Sequence, residues 1–394
     1  MNTKVVDVPR YKNKSDRDNP GLKTLYFMMR FKLLLFSGIL LCSCINKGSK
    51  LEMAELSLSA PEKYTNTRYF TEAFELAEIV PIQTSNTYLV SDIKRVIKYK
   101  EIIILLSGSN NQVFIIDSNT GKIKKNISKL GSGPGESRTI MDIAFDESIE
   151  RILVLNDYNK LLVFNLDGEL LDSVTVEDLY EEMTVMGDEV FFWNILNGYS
   201  CFPYKLDIYN IKNKSWKTVG NNIKKDFSIR DFGRYLVKSK NIWFTSPLDF
   251  DFFSYTNGKI NTAIELDMPE KKVHENLIKK SISDPRSFFN DIFTSNLIFS
   301  INSVRETQTH LVFKSNLEGI FIMNKNNKKV YWEKITEKKF PNMDIQYYPH
   351  DGDDDKLMFI LTAEELIRGS VANSDFFNIK EDDNPVLIFY REKR

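Results

Sequence analysis

An apolar strand that runs into a short Gly/Asn/Asp turn recurs from residue 113 to the C-terminus, and this repeat constrains the fold more than any other feature of the chain. Five copies are VFIIDSNTGKI, LLVFNLDGELL, LDIYNIKNKSW, DFFSYTNGKI and GIFIMNKNNKKV. Their turn centres, near Gly121, Gly168, Asn213, Gly258 and Asn326, lie 47, 45, 45 and 68 residues apart. A unit of about 40–50 residues is the size of one four-stranded propeller blade. The repeat therefore predicts an all-β fold, a β-propeller.

The repeat divides the chain into six units. The second is the clearest, with the four apolar segments IMDIAF, RILVLN, LLVFNL and ELLDSV separated by short turns. Asp167-Gly168 and Asn257-Gly258 suit tight hairpins, because these turns need a positive φ that Gly adopts freely. The units lie near 92–130, 140–176, 184–220, 234–268, 297–336 and 345–394. We predict a six-bladed β-propeller with four-stranded antiparallel blades over residues 66–394.

Two insertions and one closing contact complete this prediction. Residues 269–293 place Val273, Leu277, Ile278 and Ile282 at helical spacing, which indicates a small helical insertion. A second insertion, TAEELIRGSVANSDFFNIKEDDN, begins with a possible helical turn. A propeller commonly closes with a blade that takes strands from both ends of the chain. We therefore expect the segment Phe74–Ile82 to meet the last strand, PVLIFY.

The N-terminal region has the pattern of a secretory signal peptide. Residues 28–44 carry two basic residues, a short apolar run and then LCSC, which resembles a bacterial lipobox. In that class of lipoprotein, Cys44 becomes the acylated N-terminus, and residues 45–65 would be a flexible tether. Translation then starts at Met28 or Met29, with the signal peptide ending at residue 44. An ordinary signal peptide and an uncleaved short anchor remain the alternatives.

Charge and cysteine content exclude several classes of partner and bond. The chain has 53 basic and 54 acidic residues and a net charge of −1, so no overall field draws nucleic acid or anionic lipid. Lysines cluster locally, as at Lys325, Lys328 and Lys329. The simplest interpretation is that these are solvent-exposed lysines of a turn, with no binding role. After processing at Cys44 only Cys201 would remain, and no internal disulfide could form.

The loop Gly131-Ser132-Gly133-Pro134-Gly135-Glu136, followed by IMDIAFD, RILVLND and LDGELL, resembles the six-bladed, NHL-like propeller lipoproteins of bacterial cell envelopes. The resemblance covers about residues 75–394 and agrees with the lipobox. It implies a rigid binding platform, since NHL-type propellers generally act in this way. A minority of related six-bladed rings are hydrolases or lyases.

Local motifs give no catalytic or metal site. The glycine loop at 131–136 is followed by a strand rather than by the helix that a phosphate-binding loop requires, so it predicts a tight interblade connection. His274, His310 and His350 lack zinc-ligand spacing. The run HDGDDDK, with Asp351, lacks the donors of a calcium loop and is interpreted as a solvated hairpin turn. The cofactor stays open, with Ca²⁺ as the one candidate.

Loops between the second and third strands of each blade, and loops between blades, share one rim around the central channel. Ligands of propellers typically bind there. The sequence also places Ser109, Asn110, Asn111, Tyr158, Asn197 and Asn316 on this rim. The candidate rim-binding residues are Glu136, Arg138, Asp157, Asn159, Tyr199, Asp249, Asp251 and Glu318. A rim of this composition could bind a carbohydrate, a peptide or a divalent cation. Alternatively, its polar residues are ordinary solvated turn residues that bind no ligand.

These patterns favour a membrane-anchored, non-enzymatic binding or scaffold protein of the bacterial cell envelope. The expected location is the outer membrane, facing the periplasm, and the expected partners are the membrane and an envelope protein, peptide or glycan. The main alternative is a lyase or hydrolase with polar residues at the central channel, for which Ca²⁺ is a candidate cofactor. A third is a structural subunit of a larger outer-membrane complex.

Overall fold

The computed structural model describes residues 56–394 with short gaps. The gaps are residues 62, 64–67, 86, 91, 158, 194–199, 202–203, 222–224, 228–232, 336–345, 353–354, 369–379 and 381. The predicted signal peptide, the lipid attachment site Cys44 and the rim residues Tyr158, Asn197 and Tyr199 lie outside the described residues.

Six antiparallel sheets form the blades of a ring, which confirms the predicted fold class. Two strands precede the first complete blade, β1 (Leu56–Ser59) and β2 (Phe74–Pro81). Blade 1 contains β3 (Ile93–Tyr99), β4 (Ile102–Ser107), β5 (Gln112–Asp117) and β6 (Ile123–Asn126). Blade 2 contains β7 (Ile140–Asp146), β8 (Arg151–Asn156), β9 (Lys160–Phe164) and β10 (Leu170–Thr175).

Blades 3 and 4 continue the same order along the chain. Blade 3 contains β11 (Glu182–Met186), β12 (Glu189–Trp193), β14 (Tyr204–Asn210) and β15 (Ser215–Asn221), and the short strands β13 (Ser200–Cys201) and β16 (Lys225–Asp226) pair beside it. Blade 4 contains β17 (Leu236–Lys238), β18 (Ile242–Phe244), β19 (Asp251–Thr256) and β20 (Lys259–Asp267).

Blades 5 and 6 complete the ring. Blade 5 contains β21 (Ile301–Glu306), β22 (His310–Ser315), β23 (Ile320–Asn324) and β24 (Val330–Glu333). Blade 6 contains β25 (Gln346–Tyr348), β26 (Lys356–Leu361), β27 (Val386–Glu392) and β2. The first strands of neighbouring blades contact one another, so β3, β7, β11, β17, β21 and β25 surround the central axis.

The strands are apolar because each blade is covered on both faces by its neighbours. In β4, the consecutive residues Ile103, Ile104, Leu105 and Leu106 are all fully buried. A strand buried on both faces has a continuous apolar run in place of the polar alternation of a half-exposed sheet. Between β19 and β20, Asn257 (φ 51) and Gly258 (φ 81) both have the left-handed backbone that a type I′ hairpin needs.

The two ends of the chain meet in blade 6, as the sequence predicted. Strand β2 pairs antiparallel with β27, with Phe74 facing Glu392 and Pro81 facing Val386. The outermost strand of the last blade therefore comes from the N-terminal part of the chain. This pairing closes the ring without leaving β27 as an edge.

Blade 4 carries a fifth strand that the sequence did not predict. Strand β1, within the segment interpreted as a tether, pairs in parallel with β20, with Leu56 facing Ile264 and Ser59 facing Asp267. Leu58 is buried and belongs to an apolar cluster with Phe252 and Leu266. The apolar residues of this short segment explain why it docks on the blade.

Helices occur where the repeat is interrupted, which confirms the predicted helical insertion. A 3₁₀ turn at Pro269–Lys271 precedes two helices, Glu275–Ser283 and Pro285–Ser295. Asp284 caps the second of them by accepting a hydrogen bond from the Ser287 amide at 3.1 Å. Shorter helices lie at Tyr69–Ala73 and Ala363–Arg368. Across the described part of the chain, no helix has the length and apolar character needed to cross a membrane.

Candidate ligand site at the channel mouth

A cavity of about 1070 Å³ opens at the end of the central channel where the innermost strands begin. Blades 1, 3, 4, 5 and 6 all contribute to its wall. Its polar and charged lining residues include Asp92, Lys94, Ser109, Glu181, Glu182, Arg234, Asn302, Lys314, Asn316, Glu318, Lys334, Tyr347 and Tyr348. Four of these are acidic and four are basic, so the lining has almost no net charge.

Arg234, which lines the cavity, forms a buried ion pair beneath it with a residue of a blade that is not its neighbour in sequence. Arg234, just before β17, donates from both terminal nitrogens to the Asp142 carboxylate of β7, at 3.0 and 2.8 Å. Both side chains are at least nine-tenths buried. Asp142 also accepts from the Met183 amide at 2.8 Å. Burial raises the pKa of Asp142 to about 6, while the Arg95 guanidinium opposes that rise.

Glu182 adds a second carboxylate to the floor of the cavity. It lies 3.8 Å from the Arg234 guanidinium. It also accepts hydrogen bonds from the amides of Tyr235 at 3.0 Å and Leu236 at 2.8 Å. A buried carboxylate needs several such donors, because transfer out of water is costly. These contacts hold the first strands of blades 3 and 4 together.

A second buried pair lies at the axis between blades 1 and 6. The Arg95 guanidinium of β3 contacts the Asp351 carboxylate, and Thr184 donates to the same carboxylate at 3.1 Å. Burial would lower the pKa of Arg95, but the charges of Asp351, Asp142 and Glu182 outweigh it and raise the pKa. Asp351 is only 4% exposed. The interpretation of HDGDDDK as a solvated turn is therefore wrong for Asp351, which is an axial ion-pair partner.

Arg305 joins three blades through backbone carbonyls. It donates to the oxygens of Gly352 at 2.9 Å, His350 at 3.2 Å and Lys238 at 3.2 Å. The side chain of His350 is buried. Arg305 therefore fixes the turn that presents Asp351 to Arg95.

The upper wall of the cavity is more exposed than its floor. Glu318 and Lys334 form an ion pair there, with side chains 50% and 41% exposed. Exposed pairs of this kind add at most about 1 kcal/mol to stability. Lys314 lies on the same wall. These side chains can reorient around a ligand, whereas the buried pairs below them are fixed.

The structure places the rim residues predicted from the sequence in different roles. Of the described ones, Glu318 lines the cavity, as do Ser109 and Asn316. Glu136 accepts from the Gly133 amide at 2.8 Å, and Asp157 accepts from the Thr139 amide at 3.2 Å, so both brace their own loops.

The remaining rim residues also lie outside the cavity lining. Asn159 has a positive φ of 53°, and its carbonyl accepts from Val176 at 2.8 Å. Asp249 and Asp251 are half-buried at the start of β19, and Arg138 is exposed. The binding role predicted for these residues stays a prediction.

Sequence reasoning missed the charged residues of the cavity floor and those buried beneath it. Lys94 and Arg95 in β3, Asp142 in β7 and Glu182 in β11 lie within the first strand of their blades. A signal was present, because a charged residue interrupts the apolar run of the first strand in several units, as in DIKRV, IMDIA and EEMTV. A charge in the innermost strand of a propeller must face the axis or an adjacent blade.

A Ca²⁺ or zinc site would need several histidine, cysteine or carboxylate side chains close together. Among the described residues, no three His, Cys, Asp or Glu side chains are grouped as metal ligands. His310 lies away from the mouth and contacts Glu392 at 2.9 Å and the Tyr69 hydroxyl at 3.0 Å. His274 directly precedes the helix Glu275–Ser283.

Together, these features define a six-bladed β-propeller with a polar cavity at its channel mouth. The chain belongs to the family described as a domain of unknown function, DUF4934, whose model matches residues 57–391. No curated protein matches the sequence.

Two solved structures share the fold. One is a presumed exported protein of Bacteroides fragilis, 17% identical, with a TM-score of 0.69 over 86% of this chain and 99% of that chain. The other is a member of the DUF4221 family from Bacteroides vulgatus, 11% identical, with a TM-score of 0.50 over 81% of this chain and 97% of that chain. At these identities the likeness concerns the fold.

Proposed function

We propose that this protein is an exported binding module that holds a ligand in the channel-mouth cavity. The observation that carries the proposal is the cavity itself, a concave site built by five blades over a fixed polar floor. Ligand sites are typically concave and largely pre-formed, with a few convergent polar groups that fix orientation. The ring supplies the rigid frame that such a site requires.

The charge of the lining indicates the class of ligand. Four acidic and four basic side chains leave the cavity nearly neutral overall. A polyanion such as a nucleic acid needs an excess of basic residues. We infer that the ligand is a peptide or glycan segment of low net charge, which uses both donors and acceptors.

We further propose that the module is anchored to the bacterial envelope through Cys44. The support is the lipobox-like LCSC sequence at 41–44, together with the exported character given to the similar Bacteroides fragilis protein. Replacement of Cys44 by Ser should release the protein from the membrane fraction. Intact mass measurement of the mature protein should show an acylated N-terminal cysteine in the wild type.

Thermal-shift titration tests the binding site. The probes are a panel of short envelope peptides and oligosaccharides, and the protein is residues 45–394, which contain every described strand. A probe that raises the melting temperature of the wild type should fail with Lys314→Glu and Lys334→Glu. The control variant Asp157→Ala should keep the shift, because Asp157 does not line the cavity. Retention of the shift in the cavity variants would contradict the proposal.

A further inference from the structure

The face of the ring opposite the channel mouth is unevenly charged. Turns joining the first to the second strand, and the third to the fourth strand, lie on this face because the strands of each blade alternate in direction. In blades 3, 4 and 5 these turns span residues 187–188, 211–214, 239–241, 257–258, 307–309 and 325–329. They contain six lysines, Lys212, Lys214, Lys240, Lys325, Lys328 and Lys329, against one acidic residue, Asp188.

The corresponding turns of blades 1 and 2 have the opposite balance. They span residues 100–101, 118–122, 147–150 and 165–169. They contain two lysines, Lys100 and Lys122, against five acidic residues, Glu101, Glu147, Glu150, Asp167 and Glu169. The chain is nearly neutral as a whole, yet folding collects positive charge on one half of this face.

Three of the six lysines have a carboxylate nearby, and the other three form no ion pair with a described residue. Lys214, Lys240 and Lys325 each lie near a carboxylate, at 3.7, 3.2 and 3.2 Å. Lys212, Lys328 and Lys329 are exposed, and no ion pair within the described residues includes them. Blades 3 and 5 both contact blade 4, so these lysines flank it on the two sides.

Strand β1 begins on this same side of the ring. It docks on the outer edge of blade 4 and runs parallel to β20. Because β20 ends at the mouth face, Leu56 is the end of β1 farther from the mouth.

We propose that the lysine-bearing turns of blades 3, 4 and 5 form a contact surface for an anionic phospholipid bilayer. Lysines close to a bilayer surface are attracted by its anionic headgroups. The channel mouth then faces away from the membrane, where a ligand can enter. The attraction itself does not require acylation at Cys44.

Vesicle co-sedimentation tests the surface without the anchor. The protein is residues 45–394, which lack Cys44, so failure of the acylation proposal cannot affect the result. The variant replaces Lys212, Lys328 and Lys329 by Glu. The control replaces Lys129, Lys160 and Lys279 by Glu, which are exposed residues on the mouth side with the same change of net charge.

At low salt, the wild type and the control should sediment with vesicles that contain phosphatidylglycerol, and neither should sediment with pure phosphatidylcholine. The turn variant should bind at least about tenfold more weakly, and about 0.5 M salt should remove binding of the wild type. Circular dichroism should show that all three proteins are folded. Absence of wild-type binding at low salt, or an equal loss in the control, would overturn the proposal.

Discussion

Asp142 and Arg234 form a two-point ion pair, at 3.0 and 2.8 Å, between the second blade and the entry to the fourth. The two residues are 92 positions apart in the chain. Their pairing places a fixed, charged floor under the channel-mouth cavity. Because the pair joins two separate blades, the shape of the cavity depends on how these blades pack in the ring.

Removal of Arg234 should destabilise the fold strongly. In Arg234→Met, the buried carboxylates of Asp142 and Glu182 lose the cation that contacts both of them, and the free energy of unfolding should fall by about 3–5 kcal/mol. Urea denaturation measures this loss. The double variant Asp142→Leu/Arg234→Met should recover part of it, since one uncompensated charge is then gone. A loss below about 1 kcal/mol in the single variant would contradict this role.

Acid should weaken the contact between blades 5 and 6 through Glu392. Burial would raise the pKa of this carboxyl, but hydrogen bonds from His310, Thr307 and the Thr309 amide prevail and lower it to about 2. A lowered folded-state pKa contributes stability above the unfolded value of about 4.5, and this contribution is lost as the pH falls toward about 2.

Urea denaturation at a series of pH values checks this prediction. The wild type should lose roughly 1–2 kcal/mol more than Glu392→Gln between pH of about 5 and 2, because solvent screening reduces the effect at a partly exposed group. The variant should be less stable than the wild type at neutral pH, and the difference should shrink in acid. Parallel pH profiles for the two proteins would show that Glu392 does not act in this way.

Two glycines with similar backbone angles should differ in their tolerance of alanine. Gly121 has φ 69, and a Cβ there would lie 1.8 Å from the carbonyl oxygen of Pro81 in β2. Gly258 has φ 81 with open space around the same position. Gly258→Ala should cost about 1 kcal/mol from backbone strain alone. Gly121→Ala should cost roughly 2 kcal/mol more, because it also pushes against the closing strand. Equal melting temperatures for the two variants would refute this difference.

Closure of the ring should depend on β2 and much less on β1. A chain that begins at residue 61 lacks β1 but keeps all four strands of blade 6, and it should fold with reduced stability. A chain that begins at residue 83 leaves β27 as an unpaired edge and should aggregate or stay unfolded. Size-exclusion chromatography with circular dichroism distinguishes these results. A folded monomer from the shorter chain would contradict the closure by β2.

The sequence predicted the ring well because its signals are local. Asn257-Gly258 marks a hairpin by its own backbone preference, and the Phe74–Ile82 segment has the length and apolar content of a missing strand. These features need no knowledge of distant residues. Turn spacing was therefore sufficient to count the blades.

The cavity floor and the place of Asp351 could not be predicted in the same way. Asp351 looks solvated in HDGDDDK, because its partners Arg95 and Thr184 are distant in sequence and meet it only when the ring closes. Glu136 and Asp157 lie in loops, and the sequence does not show that each hydrogen-bonds a backbone amide close to it. Their predicted binding role stays a prediction. Which polar residues converge is a property of the closed ring.

The most direct test of a ligand in the channel-mouth cavity is native mass spectrometry of the full-length protein purified from the cells that produce it. Wild-type protein and the Asp157→Ala/Asp249→Ala variant should carry the same additional bound mass, which unfolding releases. The Lys314→Glu/Lys334→Glu variant should lack it. A bound mass that persists in the cavity variant, or no bound mass in any of the three proteins, would contradict the account.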